Sequence, residues 1–311
     1  MNTDAASQAG YKRFLERHSF IEMNARERVR AVLDPGTLRE LLGPFDRIKS
    51  PWLPLQGIVA QADDGVVLAR GTLDGKPALI AAIESAYQGG SMGEVSGAKI
   101  AAALELALED CEQGRLILPV LLFETGGVRL QEANLGLAAI AEIHAAIIAL
   151  RRYVPVVGVI AGMVGCFGGM SLAAALCTHL IVTPQARLGM NGPEVIEQEA
   201  GIEEMDAADR GLIWSLIGGE QRYATGFADD LLEDDADAIA AAVRKAFSTP
   251  AASTAPAPAP APAPAPVSAS APAPARSMQV ERFLEMLRSI DPNQPLDGES
   301  LRKLWQPRLR P

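Results

Sequence analysis

Two long apolar runs near the middle of the chain are each followed by a pair of glycines and a helical pattern. Leu116–Phe123 leads to the glycines at 126–127, and Val154–Ala161 leads to those at 168–169. An apolar run of this length, bounded by glycine, is typical of a strand that a parallel sheet buries on both faces. The sequence therefore predicts two strand–glycine turn–helix units in an α/β fold, with parallel strands that end near Phe123 and Ala161.

The patterns on either side predict the elements that surround these units. Residues 1–50 are predicted to form a mostly helical N-terminal segment, which includes a short helix at Thr37–Leu42. Across residues 57–84 the pattern changes to that of short strands separated by Asp- and Gly-rich turns, which predicts a three-stranded antiparallel meander. Two further short strands are predicted at Leu180–Thr183 and Arg187–Met190. Strands that alternate with helices in this way are typical of an α/β fold.

The composition changes sharply after residue 248, where the predicted domain of residues 1–248 ends. Residues 249–276 alternate alanine with proline, which favours extended polyproline II and predicts a linker. Residues 277–311 follow as a tail, in which Met278–Ile290 has the apolar stripe of a short amphipathic helix. Two roles are open for this helix, since it could dock on a partner or pack back on the domain.

Charge and cysteine content limit the class of protein. The net charge of −10 and the pI near 4.9 argue against nucleic acid or an anionic membrane as the main partner. The three cysteines have no CxxC spacing, and with the absence of an apolar leader they predict a cytoplasmic location. Val154–Thr178 is uncharged and long enough to span a bilayer, but its five glycines favour a buried strand, loop and helix.

Paired glycines at a strand-to-helix turn leave backbone N–H groups accessible to a ligand. At the positive end of a helix, such groups bind an anion or a developing oxyanion. Gly126, Gly127 and Val128 are the first candidates for these donors, and Gly168 and Gly169 are the second. The alternative is that the glycines only allow a strand and a helix to pack closely.

Four motifs carry a family resemblance. They are SMGEVSGAKI at 91–100, FETGGVRLQEA at 123–133, GCFGGMSLAAAL at 165–176 and LGMNGPEVIEQ at 188–198. In this order they resemble the acyl-CoA carboxyltransferase branch of the crotonase superfamily, over roughly residues 57–235. The resemblance implies a crotonase-like (ClpP/crotonase) α/β fold of stacked ββα units.

Within this branch the motifs are most similar to those of the beta subunits of biotin-independent malonate decarboxylases. That resemblance implies decarboxylation of a malonyl thioester carried by an acyl carrier protein, whose prosthetic group is phosphoribosyl-dephospho-coenzyme A. It implies no biotin, no zinc and no cofactor bound directly by this chain. The implied partners are a homologous carboxyltransferase-like gamma subunit, the acyl carrier protein, and an alpha subunit that acts as acyl-carrier-protein transferase.

Two other functions stay open at this point. The chain could be the carboxyltransferase beta subunit of a biotin-dependent acyl-CoA carboxylase, or a non-catalytic subunit that only assembles a complex. The bacterial acetyl-CoA carboxylase subunit usually carries an N-terminal four-cysteine zinc ribbon, which this sequence lacks. The retained glycine pairs favour an enzyme over an assembly subunit.

Polar residues near the motifs provide candidates for substrate binding and proton transfer. Arg129 and Gln131 follow the first glycine pair, and Arg129 has two open roles, binding a carboxylate or phosphate or forming a structural ion pair. Ser91 either lines the channel for the pantetheine or nucleotide part of the substrate or is a plain turn serine. Three carboxylates could protonate the carbanion or merely cap or solvate helices: Glu132, Glu194 and Glu197.

Overall fold

The computed structural model describes residues 17–59, 65–162, 164–248, 284, 287–291 and 297–309. The predicted Ala-Pro linker and most of the predicted helix at 278–290 lie outside the described residues.

A seven-stranded mixed sheet forms the centre of the fold, with its strands in chain order. The strands are β1 (Arg39–Leu42), β2 (Val66–Leu73), β3 (Lys76–Ile83), β4 (Leu118–Phe123), β5 (Val157–Ile160), β6 (His179–Val182) and β7 (Asp230–Leu231). The first three strands are antiparallel, and β3 to β7 are parallel. Both apolar runs therefore form neighbouring parallel strands, β4 and β5, as predicted.

Helices cover both faces of the sheet. The α-helices of the described residues are α1 (Ala25–Val32), α2 (Glu94–Glu112), α3 (Ala133–Leu150), α4 (Gly169–Leu176), α5 (Pro193–Ala200), α6 (Arg210–Ile217), α7 (Gly219–Ala224), α8 (Ala236–Ser248) and α9 (Gly298–Trp305). Val66 and Leu68 share one apolar cluster with residues of α2, α3 and α4. Val67 and Ala69, on the opposite face, share the other cluster with residues of α1 and α8. The alternation along β2 follows from the two-residue period of a strand.

One prediction for the N-terminal part of the chain is wrong, and a second falls largely outside the described residues. The predicted helix at Thr37–Leu42 is instead β1, which pairs with β2 so that Arg39 lies opposite Arg70. Local helix propensity is weak, and pairing with a neighbouring strand overrides it here. The first of the three strands predicted within residues 57–84 is absent from residues 57–59. Residues 60–64 lie outside the described part of the chain. The antiparallel layer takes its third strand from β1 instead.

The turns that follow the parallel strands stack into a short second ladder. Met92 bridges Val128, Thr125 bridges Cys166, and Cys166 bridges Leu188, each in parallel. Arg187–Met190, predicted as a strand, contributes only isolated bridges to this ladder. The hydrogen bonds of this ladder bring the turns after β4 and β5 side by side at the carboxyl edge of the sheet. Ligands bind at this edge in open α/β sheets.

The uncharged stretch Val154–Thr178 is divided between β5, the second glycine turn and α4, as predicted. Among the described residues, no helix has the length and apolar character needed to cross a bilayer.

The last helix of the chain, α9, packs against α6. The indole N–H of Trp305 donates to the carbonyl oxygen of Ser215 at 3.1 Å. The Ser215 hydroxyl donates to the carbonyl oxygen of Gly298 at 2.8 Å. Leu301 and Trp305 are buried in this contact. The predicted helix at 278–290 lies mostly outside the described residues, so the choice between its two roles stays a prediction; α9 is a different helix of the tail. The domain boundary at residue 248 stays a prediction.

Candidate active site

The structure brings the two glycine turns into direct contact. Gly127 has φ +108° and Gly168 has φ +61°, values that side-chain-bearing residues rarely adopt. A Cβ atom at Gly127 would lie 3.3 Å from the Phe167 carbonyl oxygen, and one at Gly168 would lie 3.3 Å from the Gly127 Cα. The two turns can approach this closely because neither position has a side chain.

The hydrogen bonds of the two turns separate the candidate donors into two groups. The N–H groups of Gly126, Gly127 and Gly168 donate to Gly89 O at 2.9 Å, Thr125 Oγ1 at 3.1 Å and Met190 O at 2.8 Å. Those of Val128 and Gly169 have no hydrogen-bond partner among the described residues. These two N–H groups are therefore the candidate donors to an oxyanion, and the other three glycines shape the turns that present them.

The turns that carry the two candidate donors lie close together. A Cβ at Gly168 would lie 3.7 Å from the Val128 nitrogen, so the nitrogen of the first donor is close to the turn that carries the second. Both Val128 and Gly169 are half-buried. Gly169 is the first residue of α4, where the N–H groups of the first turn have no intrahelical partner and the helix dipole is positive. The arrangement can stabilise negative charge on an oxygen placed between the two turns.

Arg129 lies in a buried network beside the first turn. Its Nη1 donates to Glu132 Oε1 at 2.7 Å, its Nε to Ser91 Oγ at 3.2 Å and its Nη2 to Ser91 O at 3.0 Å. The guanidinium also lies over the Tyr87 ring, 5.3 Å from its centroid. Of its two open roles, the ion pair describes Arg129 in this structure, and contact with substrate stays a prediction. The hydroxyl of Ser91 accepts a hydrogen bond from Arg129, and contact of Ser91 with substrate also stays a prediction.

The other polar candidates are spread over the structure. Glu132 is buried, and its Oε2 accepts the N–H of Glu94 at 2.7 Å, which caps the start of α2. Glu197 accepts the N–H of Ala207 at 2.6 Å, and Glu194 is exposed at the start of α5. Gln131 is exposed next to the first turn. Glu132 therefore has the capping role, and the proton donor stays unassigned.

Sequence reasoning missed two residues that contact the turns. Glu124 directly follows β4, is buried, and accepts the N–H of Val164 at 2.8 Å. His144 Nε2 lies 2.8 Å from the carbonyl oxygen of Gly169, and the tautomer protonated at this nitrogen donates to it. A carboxylate placed between a buried strand and a glycine pair was a usable signal for Glu124. His144 offered none, because a single histidine within a helix has many ordinary roles.

The cysteines add no activated nucleophile and no metal site. Cys111, Cys166 and Cys177 are free and buried. Burial raises the pKa of the Cys166 thiol well above its usual range, so this sulfur beside the second turn is a neutral thiol and a poor nucleophile. Within the described part of the chain, no group of three or more His, Cys, Asp or Glu residues could hold a metal ion.

Comparison with known proteins decides the family. The sequence matches the family described as carboxyl transferase domain over residues 20–303. The chain belongs to this family. Its resemblance to the carboxyltransferase branch, drawn from the four motifs, is confirmed, and so is the crotonase-like α/β fold.

Several known proteins are similar to most of this chain. A chain of the Pseudomonas malonate decarboxylase hetero-tetramer in complex with malonate is 56% identical, with a TM-score of 0.78, and covers 95% of this chain and 100% of that chain. A chain of the Pseudomonas malonate decarboxylase MdcD-MdcE hetero-dimer is 52% identical, with a TM-score of 0.66, and covers 88% and 97%. The malonyl-S-ACP:biotin-protein carboxyltransferase MADC of Malonomonas rubra is 44% identical over 71% of this chain and 72% of its own.

Proposed function

We propose that this chain is the catalytic beta subunit of a malonate decarboxylase and removes CO2 from a malonyl thioester. The observation that carries the proposal is the pair of N–H groups, on Val128 and Gly169, that have no partner within the described part of the chain where the two glycine turns meet. The similarity to a chain of the malonate-bound Pseudomonas enzyme, 56% identical over 95% of this chain, supports malonate as the source of the acyl group.

The chemistry requires a site of this kind. Breaking the bond between the carboxylate carbon and C2 releases neutral CO2 and leaves the electron pair on C2 and the adjacent thioester. The negative charge of the resulting enolate accumulates on the thioester oxygen. Donors at Val128 and Gly169 would stabilise that charge, and the loss of one such donor typically costs about 2.7–4 kcal/mol. A proton then adds to C2 and gives the acetyl thioester.

The proposal includes the carrier of the thioester and the other subunits. The malonyl group would arrive on an acyl carrier protein through its phosphoribosyl-dephospho-coenzyme A arm, after loading by an alpha subunit with acyl-carrier-protein transferase activity. A homologous gamma subunit would provide the other half of the site. The hetero-dimer and hetero-tetramer described for the Pseudomonas relatives support a partner subunit of this kind. The cytoplasmic location predicted from the cysteine pattern belongs to the same proposal.

The direct test is a decarboxylation assay with and without the gamma subunit. The complex should convert malonyl-S-acyl carrier protein into acetyl-S-acyl carrier protein and CO2, and the isolated chain should have negligible activity. Full turnover by the isolated chain would contradict the half-site part of the proposal. An assembled complex that leaves the malonyl thioester unchanged would contradict the function itself.

A second function has a specific observation in its favour. The Malonomonas rubra relative is named as a carboxyltransferase from malonyl-S-ACP to a biotin protein. In that reaction biotin would receive the carboxyl group that a decarboxylase releases as CO2, and the enolate would need the same two donors. Avidin separates the two functions, because it should leave CO2 release by a decarboxylase unchanged. If acetyl-S-acyl carrier protein instead forms only in the presence of a biotinylated protein and its formation stops with avidin, the carboxyltransferase function is correct.

A further inference from the structure

One buried carboxylate connects the two glycine turns. Glu124 lies between β4 and Gly126, so its backbone belongs to the first turn. Its Oε1 accepts the N–H of Val164 at 2.8 Å and that of Gly165 at 3.3 Å, and both of these residues precede the second turn. The side chain of one turn therefore holds the backbone segment that leads into the other.

Arg28 of α1 provides the opposite charge. Its Nη1 donates to Glu124 Oε2 at 2.9 Å, and the two side chains are 6% and 2% exposed. Nε and Nη2 of Arg28 donate to the carbonyl oxygens of Phe20 at 3.0 Å and Ile21 at 2.9 Å. A buried carboxylate is costly unless it is paired and hydrogen-bonded, and Glu124 is both. The N-terminal segment thus holds the carboxylate from the side opposite the turns.

Gly162 packs directly against the Glu124 carboxylate. A Cβ at Gly162 would overlap the Glu124 carboxyl group, with 2.0 Å to its Cδ atom. Only glycine at this position leaves room for the carboxylate to reach the N–H groups of Val164 and Gly165. Two separate parts of the chain therefore determine where the Glu124 side chain lies: Arg28 on one side, and Gly162 with the Val164–Gly165 backbone on the other.

We propose that Glu124 is a positioning residue that sets the separation of the Val128 and Gly169 donors, with Arg28 as its fixed counter-charge. This inference rests on the proposed function, because it assigns the two donors to the same oxyanion. Glu124 does not touch the reacting atoms. It acts by holding the two turns in one arrangement, and misplacement of a catalytic group by about 1 Å can lower a rate by about a hundredfold.

The test uses Glu124→Asp and Glu124→Gln in the complex with the gamma subunit. Aspartate keeps the charge but withdraws the carboxylate by about 1.5 Å, the length of one carbon–carbon bond. Glutamine keeps the length but loses the charge. We expect each variant to assemble, to lose about tenfold to a hundredfold in kcat, and to keep its KM within about threefold, because only the transition state uses both donors.

A matched control is available at Asp34. This carboxylate also pairs with an arginine, Arg244 at 3.2 Å, and also accepts the N–H of a turn, that of Gly75 at 2.9 Å. It lies beside the β2–β3 hairpin rather than the glycine turns. Asp34→Asn should lower the melting temperature and leave kcat unchanged. If kcat falls equally in Asp34→Asn and Glu124→Gln, the effect at Glu124 is one of general stability and the proposal is wrong.

Hydrogen–deuterium exchange provides a readout that does not depend on activity. In Glu124→Asp, peptides covering 124–130 and 164–170 should both exchange faster, while those covering α2 should not. Faster exchange in only one turn, or wild-type kcat in both Glu124 variants, would overturn the positioning role.

If the wild-type complex does not decarboxylate, the proposed function fails, and the exchange data still decide whether Glu124 couples the turns. Should Glu124→Asp fail to assemble, Arg28→Lys serves for the same measurements with the carboxylate intact.

Discussion

The two glycine turns have the same pattern in the sequence and present their donors in different ways. In the first, Met92 donates to the carbonyl oxygen of Gly127 and accepts the N–H of Arg129, and the N–H of Val128 between them has no partner among the described residues. The buried Arg129–Glu132 pair then separates this turn from α3. In the second, Gly169 is already the first residue of α4, so its N–H lies at the positive end of a helix. One donor thus depends on a ladder and the other on a helix start, and substitutions at the two turns should have different consequences.

Gly127→Ala should have the largest effect on rate. The position combines φ +108° with a Cβ 3.3 Å from the Phe167 carbonyl oxygen, so the methyl group strains the backbone and separates the turns. We expect kcat of the assembled complex to fall roughly a hundredfold, the scale of one lost or misplaced oxyanion donor.

Gly114→Ala is the control for backbone strain alone. Gly114 has φ +80°, and a Cβ there would meet no atom within 4 Å. It should lose about 1 kcal/mol of stability, as expected for a side chain at positive φ, without a change in kcat. If Gly127→Ala, like Gly114→Ala, lowers the melting temperature without lowering kcat, the first turn has only a structural role.

Gly169→Ala should have an intermediate effect that a second substitution relieves. Its Cβ would lie 2.8 Å from Ile140 Cγ2, so α4 must shift away from α3 and take the second donor with it. We expect a loss of about tenfold in kcat, since the helix shifts by less than the 1 Å that costs a hundredfold. The double variant Gly169→Ala with Ile140→Ala removes the clashing atoms and should recover most of the rate. If the double variant is no faster than the single one, the clash with α3 is not the cause.

Gly136→Ala should have a smaller effect, transmitted from α3 to the first turn. In an exposed helix this change would add about 1 kcal/mol of stability. Here the Cβ would lie 2.8 Å from Met92 O and 3.0 Å from Val128 Cγ2, both in the ladder that holds the first donor. We expect no gain in melting temperature and a fall in kcat of a few fold. A stabilised variant with unchanged kcat would show that the ladder tolerates the displacement.

Gly126→Ala should have the smallest effect. Its φ is outside the left-handed region, and a Cβ would meet only Gly89 O at 3.4 Å, which is ordinary contact. The assembled complex should keep kcat within about twofold, as for a surface substitution that removes no interaction. A loss as large as that of Gly127→Ala would mean that the two glycines of the first pair have equivalent roles.

The sequence was informative where the fold is determined locally. The strands β4 and β5 are continuous apolar runs because the sheet buries both of their faces, and that pattern is visible without a structure. The strand β1 was missed because RELL at Arg39–Leu42 has helical character, and only its pairing with β2 makes it extended.

The site was less predictable than the fold because its important contacts span long distances in sequence. Glu124 is 96 residues from Arg28 and 40 from Val164. The identity of the unpartnered N–H groups depends on Gly89 and Met190, whose carbonyl oxygens accept the bonds of two other candidates. The sequence pattern locates a turn. It does not show which N–H groups of the turn are hydrogen-bonded to other parts of the fold.

The packing of α9 on α6 has a consequence for how the chain can vary. Buried Trp305 and Leu301 anchor the far end of a long connection that begins at Ser248. Loss of the Trp305 indole would remove the hydrogen bond to Ser215 and most of the buried contact, and so would release α9 from α6. Substitutions should therefore be rare at Trp305 and Leu301 and more frequent at the exposed positions of α9, such as Arg302 and Lys303.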